Sequence, residues 1–379
     1  MHYRILGKTG IKVSILGFGC MRLPTIKPFQ PAVKQDEAIK IIRKGIDLGI
    51  NFVDTAYGYH DMDSEIALGK ALKDGYREKV TLMTKSPVWH DEFTKGEDFE
   101  RYLDGQLKRI GVKYIDIYLF HSLNEKLWRE KVLNFGLIER AKKAKAAGKI
   151  KHIGISFHDK PELLKEIIDT GEFEIMLVQY NLLDRDIEKM IEYGAKQGLG
   201  IIVMEPIFGG RLAGEPPKEL RAFLNKGQKN FVDYALKFVW TNPNVSLALS
   251  GMGSEQMVDQ NVALASSKIY TLSSKEMEKT KEIAKKYKEL TDNICTNCKY
   301  FMPCPNDVNI PIIFSALMYH DIYGQKEKAK HFYSKIGDVD WPPGKRADAC
   351  TECCECEPKC PQKIPIIKQL KYTHELLAK

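Results

Sequence analysis

Two hydrophobic rhythms take turns along this chain. Short apolar runs of strand length give way to longer stretches with apolar residues three or four apart, and the alternation repeats. Tyr3 to Gly17 opens it with two short strands around the turn-rich Gly7-Lys-Thr-Gly10, the centre of a hairpin. The pattern then predicts strands over 15–19, 51–56, 80–85, 115–121, 150–156, 175–180, 200–206 and 245–251. Each is followed by a predicted helix, over 36–48, 64–72, 97–110, 135–147, 160–168, 186–196, 231–240 and 255–265.

Eight strand–helix units in roughly 250 residues have the size of an α/β fold of the closed (β/α)8 TIM-barrel type. The hairpin then closes the bottom of the barrel. An open doubly wound sheet is the competing fold. No strand here runs into a Gly-x-Gly-x-x-Gly turn and helix, so a dinucleotide-binding open sheet has no support. Beyond the barrel, Ser273 to Leu290 reads as one polar amphipathic helix, and Ile312 to Tyr319 as a further helical stretch. The expected domains are a barrel over 1–270, a linking helix over 271–292 and a small α-helical domain over 293–379.

Composition narrows the class. With 379 residues, 44% of them hydrophobic, the chain carries a sizeable core and is not a disordered protein. The net charge of +8 is spread over helices such as Lys279 to Lys288, where Lys alternates with Glu. That is the pattern of a solvated face, so no nucleic-acid partner is expected. No apolar run is long enough for a membrane span, and Met1 to Leu16 has no signal-segment pattern. A cytoplasmic protein is the expectation.

The strand ends carry the candidate chemistry. Asp54, Lys85 and His121 stand at the C-terminal ends of the second, third and fourth predicted barrel strands, and Tyr59 follows just beyond the second. Neighbouring strands of a barrel bring such residues together on its top face. A free phenol titrates near ~10 and is a poor acid at neutral pH. A lysine beside it lowers that value, and an aspartate paired with the lysine keeps the ammonium charged. A neutral histidine orients a carbonyl oxygen by donating a hydrogen bond to it. Together they protonate an oxyanion as it develops, which hydride delivery to an aldehyde or ketone requires. Tyr57 is an alternative phenol on the same loop.

Cysteine usage marks a second centre. Only Cys20 precedes residue 295, and the other eight of nine cysteines lie between Cys295 and Cys360. In a reducing compartment such clustering points to metal rather than disulfides. Cys350-x2-Cys353-x2-Cys356-x3-Cys360-Pro361 has the bacterial-ferredoxin spacing for a [4Fe–4S] cluster, and Cys295-x2-Cys298-x5-Cys304-Pro305 is a second, imperfect run. Where two clusters exist, the fourth cysteine of each run serves the other cluster. That logic groups Cys350, Cys353, Cys356 and Cys304 as one full site. Cys295, Cys298 and Cys360 are left as a three-thiolate site that is [3Fe–4S], recruits Cys354 or is vacant.

Over residues 1 to about 270 the chain resembles the aldo-keto reductases. The resemblance rests on Leu16-Gly-Phe-Gly19, Asp54-Thr-Ala-x-x-Tyr59 with Ser64-Glu65, Thr84-Lys85, Leu119-Phe-His121, Gly154-Ile-Ser156, Val178-Gln-Tyr-Asn181 and Gln260-Asn261. It implies NAD(P)H-dependent reduction of a small carbonyl substrate. Tyr59 is then the proton donor, Lys85 and Asp54 tune it, and His121 orients the carbonyl. The family's spacing from the aspartate selects Tyr59 over Tyr57. The resemblance also implies that Ser156 and Gln179 bind the nicotinamide carboxamide, that Asn261 meets the adenine, and that Gly19 and Cys20 lie beside the cofactor. Met204 stands where many members carry an aromatic ring.

The sequence also departs from the family's pattern. Gly251 to Ser254 and Met257 lack the Lys and Arg that commonly hold the 2′-phosphate of NADP, so NADP and NAD both stay open. Arg211 and Lys268 are candidate substitutes. Over its whole length the chain resembles the branch with a ferredoxin-type tail, in which a cysteine usually stands at the position of Phe301. Such a tail suits redox coupling, sensing or docking to a redox partner protein. No flavin feature converts a two-electron hydride into single electrons. The other functional class is an electron-transfer or regulatory protein whose barrel only binds nucleotide. Substrate choice is expected in the loops holding Trp89, Trp128 and Phe208 to Pro217.

Overall fold

The computed structural model describes residues 1–27, 31–292, 294–295, 301–338, 342–360 and 363–378. They form two compact units, residues 1–206 with 236–272, and residues 207–235 with 273–379.

The first unit begins with β1 (Tyr3–Ile5) and β2 (Lys12–Ser14), paired antiparallel with Tyr3 opposite Ser14. Eight parallel strands follow: β3 (Leu16–Gly19), β4 (Phe52–Asp54), β5 (Thr81–Ser86), β6 (Ile115–Leu123), β7 (Ile150–Phe157), β8 (Ile175–Gln179), β9 (Gly200–Met204) and β10 (Leu247–Gly251). They close into a barrel in chain order, with β10 returning to β3. Barrel strands are covered on both faces, which is why they read as near-continuous apolar runs. Phe52, Met83, Ile117, Leu119, Ile175, Leu177, Ile202, Leu247 and Leu249 form the interior.

The hairpin closes the N-terminal end of this barrel. Leu6 and Val13 belong to the same buried cluster as the interior residues. Gly7, at φ 51°, backs onto the start of β9, where a Cβ would lie 2.3 Å from the Gly200 nitrogen. A side chain at Gly7 would push the plug off the barrel floor.

The outer ring is α1 (Gln35–Asp47), α2 (Asp63–Ala71), α3 (Asp98–Ile110), α4 (Leu137–Ala146), α5 (Pro161–Asp169), α6 (Glu188–Lys196), α7 (Val232–Thr241) and α8 (Glu255–Ala265). In α1 the buried Ala38, Ile41, Ile42 and Ile46 recur at helical spacing, so one stripe faces the sheet. α5 starts on Pro161, where the missing N–H costs nothing. At the start of α8 the Ser254 side chain accepts from the Met257 N–H, a cap of about 1 kcal/mol.

The expected and observed elements coincide to within about three residues at their ends, the normal scatter of helix and strand boundaries. β6 is the informative difference. It runs past His121 to Leu123, with a register shift between Phe120 and Leu123 and Ser122 at φ 56°. Such an irregularity re-aims a side chain, and His121 lies inside it.

The second unit is helical. It contains α9 (Ser274–Asp292), α10 (Ile310–Asp321), α11 (Lys326–Ser334), α12 (Ile366–Leu377) and a short turn of helix over Cys356–Lys359. Phe231 meets Tyr287 edge-on at 5.9 Å, and Tyr287 stacks on Tyr323 at 5.8 Å. Arg211 donates to the Tyr319 hydroxyl at 2.6 Å and lies over the Phe208 and Tyr319 rings. The 207–235 segment, and with it Phe208 to Pro217, therefore packs as part of this unit. The Lys-rich face of α9 is laced with exposed pairs such as Lys281–Glu278 and Lys288–Asp292. Among the described residues no helix is long and apolar enough to cross a membrane.

Candidate active site

The C-terminal ends of β4, β5 and β6 place three titratable groups side by side. Asp54 is the last residue of β4 and Lys85 the last but one of β5, and both are buried. Lys85 Nζ donates to Asp54 Oδ1 at 2.5 Å, to the Thr55 carbonyl at 2.9 Å and to the Tyr59 hydroxyl at 3.2 Å. All three ammonium protons are thus used, and the lysine has no freedom to swing away. The Tyr59 ring stands edge-on to His121 with centroids 6.0 Å apart. His121 Nδ1 accepts from the Trp89 indole N–H at 3.1 Å.

Tyr57 points elsewhere. It packs edge-on against His90 and Tyr102, with the Arg109 guanidinium over its ring. Tyr59, not Tyr57, is within hydrogen-bond distance of Lys85.

The electrostatics follow from burial and from this one cation. Burial pushes the Asp54 carboxyl up, opposed by the Lys85 ammonium. Burial works against a charged Lys85, but Asp54 and Tyr59 outweigh it and hold the ammonium above its ordinary range. The expected lowering of the Tyr59 phenol by Lys85 operates, yet burial outweighs it and the net direction is upward. The phenol therefore stays protonated, the form a proton donor must hold. Burial, with Lys85 and His158 nearby, keeps His121 well below its usual range, so the ring is neutral near pH 7.

A buried network under the site was not visible in the sequence. Glu65 is fully buried and accepts from Thr84 Oγ1 at 2.9 Å, from Gln106 Nε2 at 2.5 Å and from Arg109 at 2.5 Å. Gln106 also donates to the Lys85 carbonyl at 3.2 Å. Ser64 joins Thr55 to the Cys20 carbonyl. These contacts fix the ends of β3, β4 and β5 relative to one another. Gln106 and Arg109 lie on the inner side of α3, and only their spacing on that helix hinted at it.

Gly19, Cys20, Ser156, Gln179 and Met204, among the other candidate cofactor residues, also lie at strand ends. Gly19 ends β3, pairs with Gly251 and precedes the buried Cys20, whose thiol is pushed up by burial and by Asp54. Ser156 is buried near the end of β7, and its hydroxyl has no hydrogen-bond partner among the described residues. Asn181 Nδ2, just past β8, is likewise buried and unpaired among the described residues. Gln179 ends β8 and donates to Asp184 at 2.7 Å. Met204 ends β9, half-buried against the interior cluster. Asn261, on α8, donates to Ser250 Oγ at 3.0 Å. Lys268 is exposed. Arg211 is committed to the aromatic contacts of the second unit.

The profile of the aldo/keto reductase family matches residues 15–285. The chain belongs to that family. Among curated members it is 29% identical over 284 residues to L-galactose dehydrogenase of Arabidopsis thaliana, covering 69% of this chain and 88% of that protein. It is 29% identical over 268 residues to probable aldo-keto reductase 1 of Glycine max, covering 69% and 75%. Among solved structures, the holo form of aldo-keto reductase AKR11C1 from Bacillus halodurans superposes with a TM-score of 0.64 at 26% identity, over 75% of this chain and 96% of that one. An aldo/keto reductase from Klebsiella pneumoniae solved with NADP and acetate shares the fold, with a TM-score of 0.59 at 24% identity over 74% and 94%. This aldo/keto reductase is thus an NAD(P)H-dependent oxidoreductase on a (β/α)8 barrel.

In the second unit, five thiols share one cavity. Cys304, Cys350, Cys353, Cys354 and Cys356 line it, with Phe301 beside them. Cys353 and Cys354 are exposed, the other three partly buried. Cys295 and Cys360 are buried and do not line this cavity. Cys298 lies outside the described residues. Among the described residues, as the side chains stand, no group of three or more His, Cys, Asp or Glu converges to hold a metal ion.

Proposed function

We propose that the barrel reduces an aldehyde or ketone to an alcohol, with Tyr59 giving the proton. The observation that carries this is the Lys85 ammonium bound at once to Asp54 and to the Tyr59 hydroxyl, with neutral His121 across the ring. Tyr59 donates its proton to the developing alkoxide, and Lys85 stabilises the phenolate left behind. Asp54 keeps the ammonium in place, and His121 orients the carbonyl oxygen.

The reduced nicotinamide cofactor supplies the hydride when bound. The residues present fit it. The unpaired Ser156 hydroxyl is a buried polar group without a partner, and such groups ordinarily have one. Ser156 and Gln179 would hold the carboxamide, Asn261 the adenine, and Gly19, Cys20 and Met204 would border the cofactor. NADP is the expected form and NAD the alternative.

For the second unit, the proposal is a [4Fe–4S] cluster on Cys304, Cys350, Cys353 and Cys356. Three thiols of the ferredoxin run, Cys350, Cys353 and Cys356, with Cys304 from the other run on the wall of the same cavity, support it. A second cluster would fall to Cys295, Cys298 and Cys360. The cluster would supply one-electron transfer for sensing or for a redox partner protein. The free thiols of Cys304, Cys350, Cys353 and Cys356 suit a reducing, cytoplasmic setting. On this reading the reductase chemistry belongs to residues 1–270 and the cluster to 293–379, with 271–292 as the linking helix.

The deciding experiment is NADPH and NADH oxidation with a panel of aldehydes and ketones, comparing wild type with Tyr59→Phe. Activity in the wild type that falls by ~10²-fold or more in the variant supports the reading. Equal, background rates in both would reject it.

A further inference from the structure

We infer that Trp89 is a positioning residue that fixes which nitrogen of His121 carries the proton. This deepens the proposed reaction and rests on His121 orienting the carbonyl. An indole N–H only donates, so at 3.1 Å His121 Nδ1 must accept from it with a lone pair. A neutral ring has one proton, which then sits on Nε2. His121 is therefore held in the form that offers Nε2–H to a carbonyl oxygen. The opposite tautomer would turn an Nε2 lone pair on that oxygen and repel it.

The seat of the indole is built for this contact. Trp89 follows β5 by three residues and lies across the loop that carries Tyr59. A Cβ on Gly58 would stand 2.9 Å from Trp89 Cζ2 and 3.2 Å from Cη2, so the glycine is what lets the ring approach. Trp89 and His121 also meet edge-on with centroids 6.2 Å apart. The indole is 39% exposed, so replacing it leaves the core intact. A mere pocket wall would need neither the glycine seat nor a donor aimed at Nδ1.

The test is direct observation of the His121 ring by two-bond 1H–15N correlation in histidine-labelled protein. Wild type should show the single Nε2–H tautomer. Trp89→Phe, which keeps an aromatic wall but loses the donor, should show mixed tautomers. Its kcat should fall ~5-fold with KM changed much less, the effect of one lost hydrogen bond acting on orientation. Gly58→Ala, which displaces the indole but keeps it, should give the same mixture. A single Nε2–H tautomer persisting in both variants, or an Nδ1–H tautomer in wild type, overturns the inference. The spectra need no substrate, so they decide this point even where the carbonyl panel rejects the proposed reaction.

Discussion

Lys85 and Asp54 form a buried ion pair, 2.5 Å between Nζ and Oδ1, at a place where neither side chain reaches solvent. Such a pair is a poor source of stability, because desolvating two charges offsets most of their attraction. Its value lies in holding a cation against the Tyr59 hydroxyl. Removing one partner strands the other.

Breaking the pair therefore costs stability in a coupled way. Asp54→Asn leaves the Lys85 ammonium without its counter-charge, and Lys85→Met leaves the Asp54 carboxylate alone. Each single variant should lose about 3–5 kcal/mol. The double variant should lose clearly less than the two losses added. Urea unfolding of the four proteins gives the cycle. Additive losses would show that the two charges do not depend on each other.

Ser156 separates binding from stability. Its hydroxyl is buried and unpaired, so Ser156→Ala removes a polar group that contributes nothing to the fold as it stands. The thermal midpoint should hold or rise slightly. Affinity for NADPH should weaken by ~5-fold, the worth of one hydrogen bond. Quenching of tryptophan fluorescence on titration reads the affinity. Unchanged affinity would remove Ser156 from the cofactor site.

The thiol cavity offers a comparison within itself. Cys350 and Cys354 both line it, but only Cys350 falls in the proposed ligand set. In anaerobically prepared protein, Cys350→Ser should lose most of the iron and the absorbance near ~400 nm. Cys354→Ser should keep both. Stoichiometric zinc without iron in the wild type would replace the cluster by another metal.

Much of the fold was legible because a barrel repeats one simple pattern. Each strand is buried on both faces and each helix on one, so Ile201, Ile202 and Val203, or Ile41 with Ile42, announce their element directly. Asp54, Tyr59, Lys85 and His121 were legible because strand ends in a closed barrel converge. What the sequence could not show was what depends on side chains meeting from distant segments. Glu65, Gln106 and Arg109 lie 41 and 44 residues apart along the chain and join only once α2 and α3 pack. The irregularity at His121 leaves no signature in Phe120-His-Ser122. The packing of Arg211 among Phe208, Tyr319 and Tyr323 joins segments over a hundred residues apart, 108 from Arg211 to Tyr319.

The end of the barrel opposite the chemistry contains a carboxylate whose effect on stability depends on pH. Glu174 precedes β8, and its carboxylate accepts from His152 at 2.8 Å, from Lys145 at 2.7 Å and from the Ile153 N–H at 3.3 Å. Burial alone would push it up, but these partners pull it down to about 2. An unfolded glutamate titrates near ~4.3. A pKa lowered by folding stabilises at pH above the unfolded value, and that stabilisation is lost as pH falls through the folded value. The side chain is partly exposed, so solvent screening leaves about 1 kcal/mol of the contribution. Glu174→Gln should therefore be less stable than wild type at pH 7. The gap should narrow as the pH is lowered from ~4.5 towards ~2. Urea midpoints of the two proteins across that range measure it, and a gap that stays constant with pH would mean that Glu174 acts through packing rather than charge.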